Sequence, residues 1–191
     1  NIPVTQTVMG YSTMKRDHSH FLGPIGGLGG KAANNLAKQT DLAIAVGTKL
    51  ADFTTGSWAN FENPDFSLVS INVSRFDASK HLAQSVIGDA KVSLQELSNA
   101  LGDWKAPDEW HRKSREELNN WNDYVDKESG PTNQELPSYA HAVGAIYRNS
   151  DPTDIAVTAA GGLVGEVVQI WRPKELNTHE TEWGFSCMSY E

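Results

Sequence analysis

Residues 23–36 read GPIGGLGGKAANNL, with five glycines in eight positions. Glycine lets backbone N–H groups approach a ligand closely, so such a run ahead of a helix is a candidate phosphate cradle. Gly27, Gly29 and Ala32 fit a G-x-G-x-x-A spacing, a tolerated form of the dinucleotide fingerprint. The fingerprint also needs an apolar strand before its first glycine. Here the preceding residues are KRDHSHFLGPI, polar and containing Pro24. The ribose-binding acid expected about 20 residues further on has a poor candidate in Asp52. A Walker A loop is excluded, because Gly30-Lys31 leads into Ala32 rather than Ser or Thr. The run therefore reads as a mobile loop ahead of a helix over Lys31–Gln39.

Other reactive groups are sparse. Ala160-Gly161-Gly162 follows a strand pattern and opens a helical one. That corner suits an anion, and it also suits an ordinary tight turn. His18 and His20 stand at i and i+2 beside Asp17 with no third ligand nearby, which reads as a solvated loop rather than a metal site. The loop could also face a substrate mouth. Cys187 has no histidine beside it in sequence and borders an apolar run, so it reads as a buried structural thiol rather than a nucleophile. His81, His111, His141 and His179 stand alone and read as surface or core residues.

The elements that must position these groups follow from the apolar pattern. Asp41–Val46 and Ser67–Val73 are continuous apolar strands, the type buried on both faces. Ile2–Val8 and Ser85–Ile87 are shorter strand candidates, and Gly10–Gly30 reads as loop. Asp89 is placed to cap a helix over Lys91–Leu101. Strands alternating with helices imply an α/β fold, a parallel sheet flanked by helices, with its ligand crevice beyond the strand C-termini. AVGTKLADFTTGSW, residues 45–58, lies there.

Composition changes after Gly102. Residues 102–137 are polar, but Trp110, Leu118, Trp121 and Val125 fall on one helical stripe, with Pro107 near its start. This predicts an amphipathic helix serving as an interdomain connector over 103–137. A new α/β unit then opens: a helix over Ser138–Arg148, a strand over Asp154–Ala159, a helix over Val164–Trp171 and a strand or its approach at Thr181–Phe185. One strand, one helix and a glycine corner cannot bury their own apolar faces. Residues 138–191 therefore read as the opening of a larger domain, less protected than Asp41–Val46.

The chain has 191 residues and a formal net charge of -8, which argues against nucleic acid or an acidic membrane surface as partner. No apolar stretch approaches the ~18 residues that span a bilayer. The single Cys187 excludes an intrachain disulfide and fits a reducing, cytoplasmic compartment. The N-terminus lacks the pattern of a signal peptide.

Three phrases carry a resemblance. AVGTKLADFTTGSW is similar to a central-domain segment of thiamine-diphosphate-dependent enzymes of the acetolactate-synthase type. DFTTGS, the LGPIG…AAN run at Leu22–Gly26 and Ala32–Asn34, and GFSCMSYE at Gly184–Glu191 resemble one branch, the trihydroxycyclohexanedione hydrolases of myo-inositol catabolism. Ser189 departs from the glycine usual there. If the position needs positive φ, the serine carries about 1 kcal/mol of strain.

The resemblance implies a central domain over 1–102, lacking its first strand and helix, and the N-terminal part of a diphosphate-binding domain over 138–191. It implies that Gly161 and Gly162 approach the diphosphate of thiamine diphosphate. It implies that the Ser186 backbone carbonyl accepts from the aminopyrimidine and that Met188 wedges between the two rings and forces a bent conformer; from sequence alone Met188 is equally a core filler. It implies Mg2+ in the intact enzyme, a small cyclic dione as substrate, a C–C bond hydrolysis, and a homo-dimer or tetramer. The G-D-G metal segment and the activating glutamate do not occur here, so no catalytic residue and no metal ligand is assigned, and the chain alone is expected to be inactive. The alternatives are an acetolactate-type carboligase or 2-oxo acid decarboxylase, and a non-catalytic FAD- or ADP-binding module using the glycine run.

Overall fold

The computed structural model describes residues 1–185 and 187–190. Among the described residues every strand pair is parallel, as the apolar runs predict, but the strands fall into three small sheets. β1 (Val4–Gln6) pairs with β2 (Phe21–Pro24). Then come α1 (Lys31–Ala37), β3 (Leu42–Val46) and α2 (Asp52–Thr55). β4 (Ser67–Asn72) lies between β3 and β5 (Gln84–Ile87), with α3 (Arg75–Ala78) on the way. α4 (Ala90–Leu101) and α5 (Asp108–Glu128) follow. α6 (Tyr139–Asn149), β6 (Ala156–Thr158), α7 (Gly162–Ile170) and β7 (His179–Thr181) complete the order, with β6 pairing β7.

Local chemistry sets the helix starts. Asp89 accepts the Val92 N–H at 3.0 Å and caps α4. Ser138 and His141 form a reciprocal pair at the start of α6: the Ser138 hydroxyl accepts the His141 N–H, and His141 Nδ1 accepts the Ser138 N–H. Two orphan donors are thereby satisfied.

β2 is a correction to the loop expected over Gly10–Gly30. All four of its residues are buried. Phe21 and Leu22 join Tyr11, Ile25, Ala32, Ala33, Leu36 and Leu118 in one core. Pro24 has no N–H to give, and β2 is an edge strand of a two-stranded sheet, where that loss is tolerated.

β3 departs in the other direction. Its pattern predicts full burial, yet Leu42 is 50% exposed and Val46 is also exposed. Leu42, Ile44 and Val46 share one face, and only the Ala43–Ala45 face packs inward, onto Leu50 and Leu68.

α5 joins the two halves of the molecule. Leu118 lies in the core beside α1 and β2, while Val125 lies in a second core with Val143, Val167, Ile170 and Trp171. Trp121 packs against both. A third cluster, Val8, Val164 and Val168 with Leu28 and Trp183, ties α7 to the N-terminal half. Among the described residues no helix is long and apolar enough to cross a membrane.

Candidate functional site

The glycine run is a packed joint rather than an open cradle. Gly27 donates its N–H to Phe53 O at 2.7 Å, Gly29 to Gly26 O at 2.9 Å and Gly30 to Pro24 O at 2.8 Å. The Gly26 N–H goes to Asn34 Oδ1 at 2.9 Å, and Asn34 Nδ2 returns a bond to Gly26 O at 3.0 Å. Asn60 Nδ2 adds a bond to the same Asn34 oxygen at 3.0 Å. Four N–H groups that a phosphate would need are thus engaged within the protein. Gly26 sits at φ +109, and a Cβ there would collide with the Phe53 carbonyl. Two of the sequence phrases, LGPIG and DFTTGS, are therefore in direct backbone contact.

The segment after β3 is tightly bent. Leu50, Ser57, Trp58, His81 and Leu82 all have positive φ. His81 Nε2 lies 3.2 Å from Leu50 O, and its ring stands edge-on to Trp58 at 4.1 Å. These residues follow β3 and β4, at the C-terminal ends of the sheet.

The residue just before the third phrase reaches the same corner. Trp183 meets Phe53 edge-to-face at 5.0 Å and also packs into the Val8–Val164–Val168 cluster. β6 and β7 are parallel neighbours, with Thr158 opposite Thr181 and the Glu182 N–H donating to Thr158 O at 3.2 Å. The segments that follow both strands leave the same end of that pair. One carries Gly161 and Gly162, the other residues 182–190.

Gly161 has φ +128 with an extended ψ, a conformation that only glycine holds without strain. Added Cβ atoms at Gly161 and Gly162 would meet nothing within 4 Å, so the corner is open. α7 begins here with no side-chain cap and no acidic residue in its first turn. Its free N–H groups and the positive end of its dipole suit an anion.

Met188 is 79% exposed and fills no core among the described residues. Ser186 lies outside the described residues. Cys187 is exposed, which corrects the expectation of a buried thiol: the apolar neighbours that suggested burial, Phe185 and Met188, are themselves exposed.

Sequence reasoning missed Glu182. Its Oε1 accepts the Phe185 N–H at 2.7 Å and its Oε2 the Cys187 N–H at 2.8 Å. Both partners are backbone groups, which no residue-type pattern reveals. It also missed the company of His20. His111 of α5 stands edge-on to His20 at 5.0 Å, with His18 at 5.6 Å on the other side. His20 and His111 each bury Nδ1 without a partner, and burial, with neighbouring positive groups, lowers the His20 pKa. Among the described residues no group of three or more His, Cys, Asp or Glu is placed to hold a metal ion.

A cleft of 340 Å³ lies elsewhere, between α5, α6 and α7, lined by Trp121, Tyr124, Glu128, Tyr139 and Glu166. Among the described residues, none of Gly161, Gly162 and Met188 lines it.

The description "thiamine pyrophosphate enzyme, central domain" names the family that matches residues 1–97. The chain belongs to the thiamine pyrophosphate enzyme family. Along its whole length it is 35% identical to the 3D-(3,5/4)-trihydroxycyclohexane-1,2-dione hydrolase of Geobacillus thermodenitrificans (strain NG80-2), covering 33% of that protein. It is 35% identical to the enzyme of that name from Clostridium perfringens (strain 13 / Type A), covering 34% of it. The counterpart from Clostridium botulinum (strain Eklund 17B / Type B) is 36% identical, with 33% covered. The chain thus spans about a third of the length of the curated relatives it matches.

The cofactor of this family is thiamine diphosphate, and the residues present fit part of it. The open, uncapped Gly161–Gly162 corner has the chemistry of an anion site, and Met188 is exposed.

Proposed function

We propose that this chain supplies the central part and the opening of the diphosphate-binding part of a thiamine-diphosphate-dependent hydrolase. Its reaction would be C–C bond hydrolysis in a cyclic 1,2-dione, trihydroxycyclohexanedione, within inositol catabolism. The observation that carries this reading is the end-to-end similarity to hydrolases of that name.

In this reading residues 1–102 form the central domain, 103–137 the connector and 138–191 the start of the next domain. Gly161 and Gly162 receive the diphosphate with backbone N–H groups. Ser186 accepts from the aminopyrimidine, and Met188 keeps the two rings bent toward each other. Thiamine diphosphate supplies the carbon nucleophile and electron sink. The catalytic glutamate and the Mg2+ ligands come from outside these residues, and the working enzyme is a cytoplasmic homo-dimer or tetramer. A nucleotide-binding module built on the glycine run is disfavoured, since four of its N–H groups are already engaged.

The test is an assay of the full-length protein on the cyclic dione and on pyruvate, with and without thiamine diphosphate and Mg2+. Cofactor-dependent ring opening without turnover of pyruvate is expected. Turnover of pyruvate alone moves the protein to the carboligase and decarboxylase branch.

A further inference from the structure

We propose that Glu182 is a positioning residue for the cofactor, a clamp that holds the backbone at Phe185 and Cys187 and so places Met188. The proposal rests on the thiamine-diphosphate reading above. Glu182 follows the last residue of β7, and its backbone N–H is fastened to Thr158 O of β6. Its neighbour Trp183 is fastened to Phe53 and to the α7 cluster. The carboxylate base is therefore anchored to two elements. From there its two oxygens reach forward to the N–H groups of Phe185 and Cys187 at 2.7 and 2.8 Å. Bonds from N–H to an ionised carboxylate are the stronger class. They hold the two residues that flank position 186, and Met188 comes next. The side chains of Phe185 and Met188 are both exposed and pack against no core cluster. Among the described residues, Phe185 and Cys187 are thus held by the clamp rather than by burial of their own side chains.

A glutamine is the informative replacement. It has the same size, but its amide offers one acceptor oxygen and presents an NH2 to the second donor. One bond is lost and replaced by two donors facing each other. The fold outside the turn keeps its packing, because residues 183 and 158 are held by other contacts.

The experiment titrates full-length wild type, Glu182→Gln and the control Glu180→Gln with thiamine diphosphate at saturating Mg2+. Quenching of tryptophan fluorescence reads the Kd, and the melting temperature without cofactor is recorded beside it. Loss of a bond to a charged group predicts a Kd raised about tenfold or more in E182Q. Melting is expected within about 2 °C of wild type, and E180Q is expected to match wild type in both. An unchanged Kd in E182Q overturns the proposal, whether or not melting falls, since the clamp is then structural only. A wild type that fails to bind thiamine diphosphate at all overturns the functional reading and this proposal with it. Binding by wild type with equal affinity in E182Q overturns the clamp alone.

Discussion

His179 sits in β7 at 7% exposure, with its ring edge-on to buried Tyr11 at 5.3 Å and its Nε2 without a partner. Burial lowers its pKa from 6.5 to about 4. The folded form therefore binds fewer protons than the unfolded one between those values. Stability from this residue is present above pH ~6.5 and is lost as pH falls toward 4, by about 3 kcal/mol across the window. Urea unfolding at pH 7 and pH 4.5 is expected to show this loss, and His179→Leu is expected to flatten it. An equal slope in the variant assigns the effect elsewhere. Ser189 was legible in advance: its φ is +67, the left-handed geometry that the departure from glycine anticipates. Glu182 and the His20–His111 contact were not legible. The clamp joins a side chain to backbone N–H groups, and the imidazole pair joins residues 91 positions apart in the chain.

α5 shows what an amphipathic stripe can and cannot reveal. The spacing of Trp110, Leu118, Trp121 and Val125 identifies the helix and its buried face. It does not reveal that the stripe is divided between two cores, one on α1 and β2 and one on α6 and α7. Leu118→Ala is expected to cost 2–5 kcal/mol, as deletion of a buried leucine does. Its cost and that of Val125→Ala are expected to depart from additivity by about 0.5 kcal/mol or more in urea unfolding, because Trp121 packs against both clusters. Strict additivity would mean that Trp121 does not couple the two cores. β2 was missed because Gly23 and Pro24, half of its four residues, are depleted in strands; pairing with β1 and burial of all four residues override that. Ser138→Ala removes one half of the reciprocal cap and is expected to cost about 1 kcal/mol of α6 stability. Amide exchange in the first turn of α6 reads that loss directly.

At the scale of the whole molecule the parallel α/β class was legible from continuous apolar strands separated by helices. Relative protection was not. The sequence ranks residues 138–191 below Asp41–Val46, since they lack neighbours in their own unit. In the structure α7 buries Val164, Val167, Val168 and Ile170, while β3 leaves Leu42 and Val46 exposed. The reason is docking: α7 borrows Val8, Leu28, Val125 and Val143 from outside its own βα pair. Amide exchange is therefore expected to be slower in α7 than in β3, the reverse of the sequence ranking. The account's central claim is that the Gly161–Gly162 corner, facing the same way as the turn after β7, receives thiamine diphosphate. Titration of the full-length protein with thiamine diphosphate and Mg2+, wild type beside Gly162→Asp, tests it most directly. The account predicts saturable binding by wild type and a loss of about tenfold or more when a carboxylate faces the diphosphate at the start of α7. Equal affinity in the two proteins would contradict it.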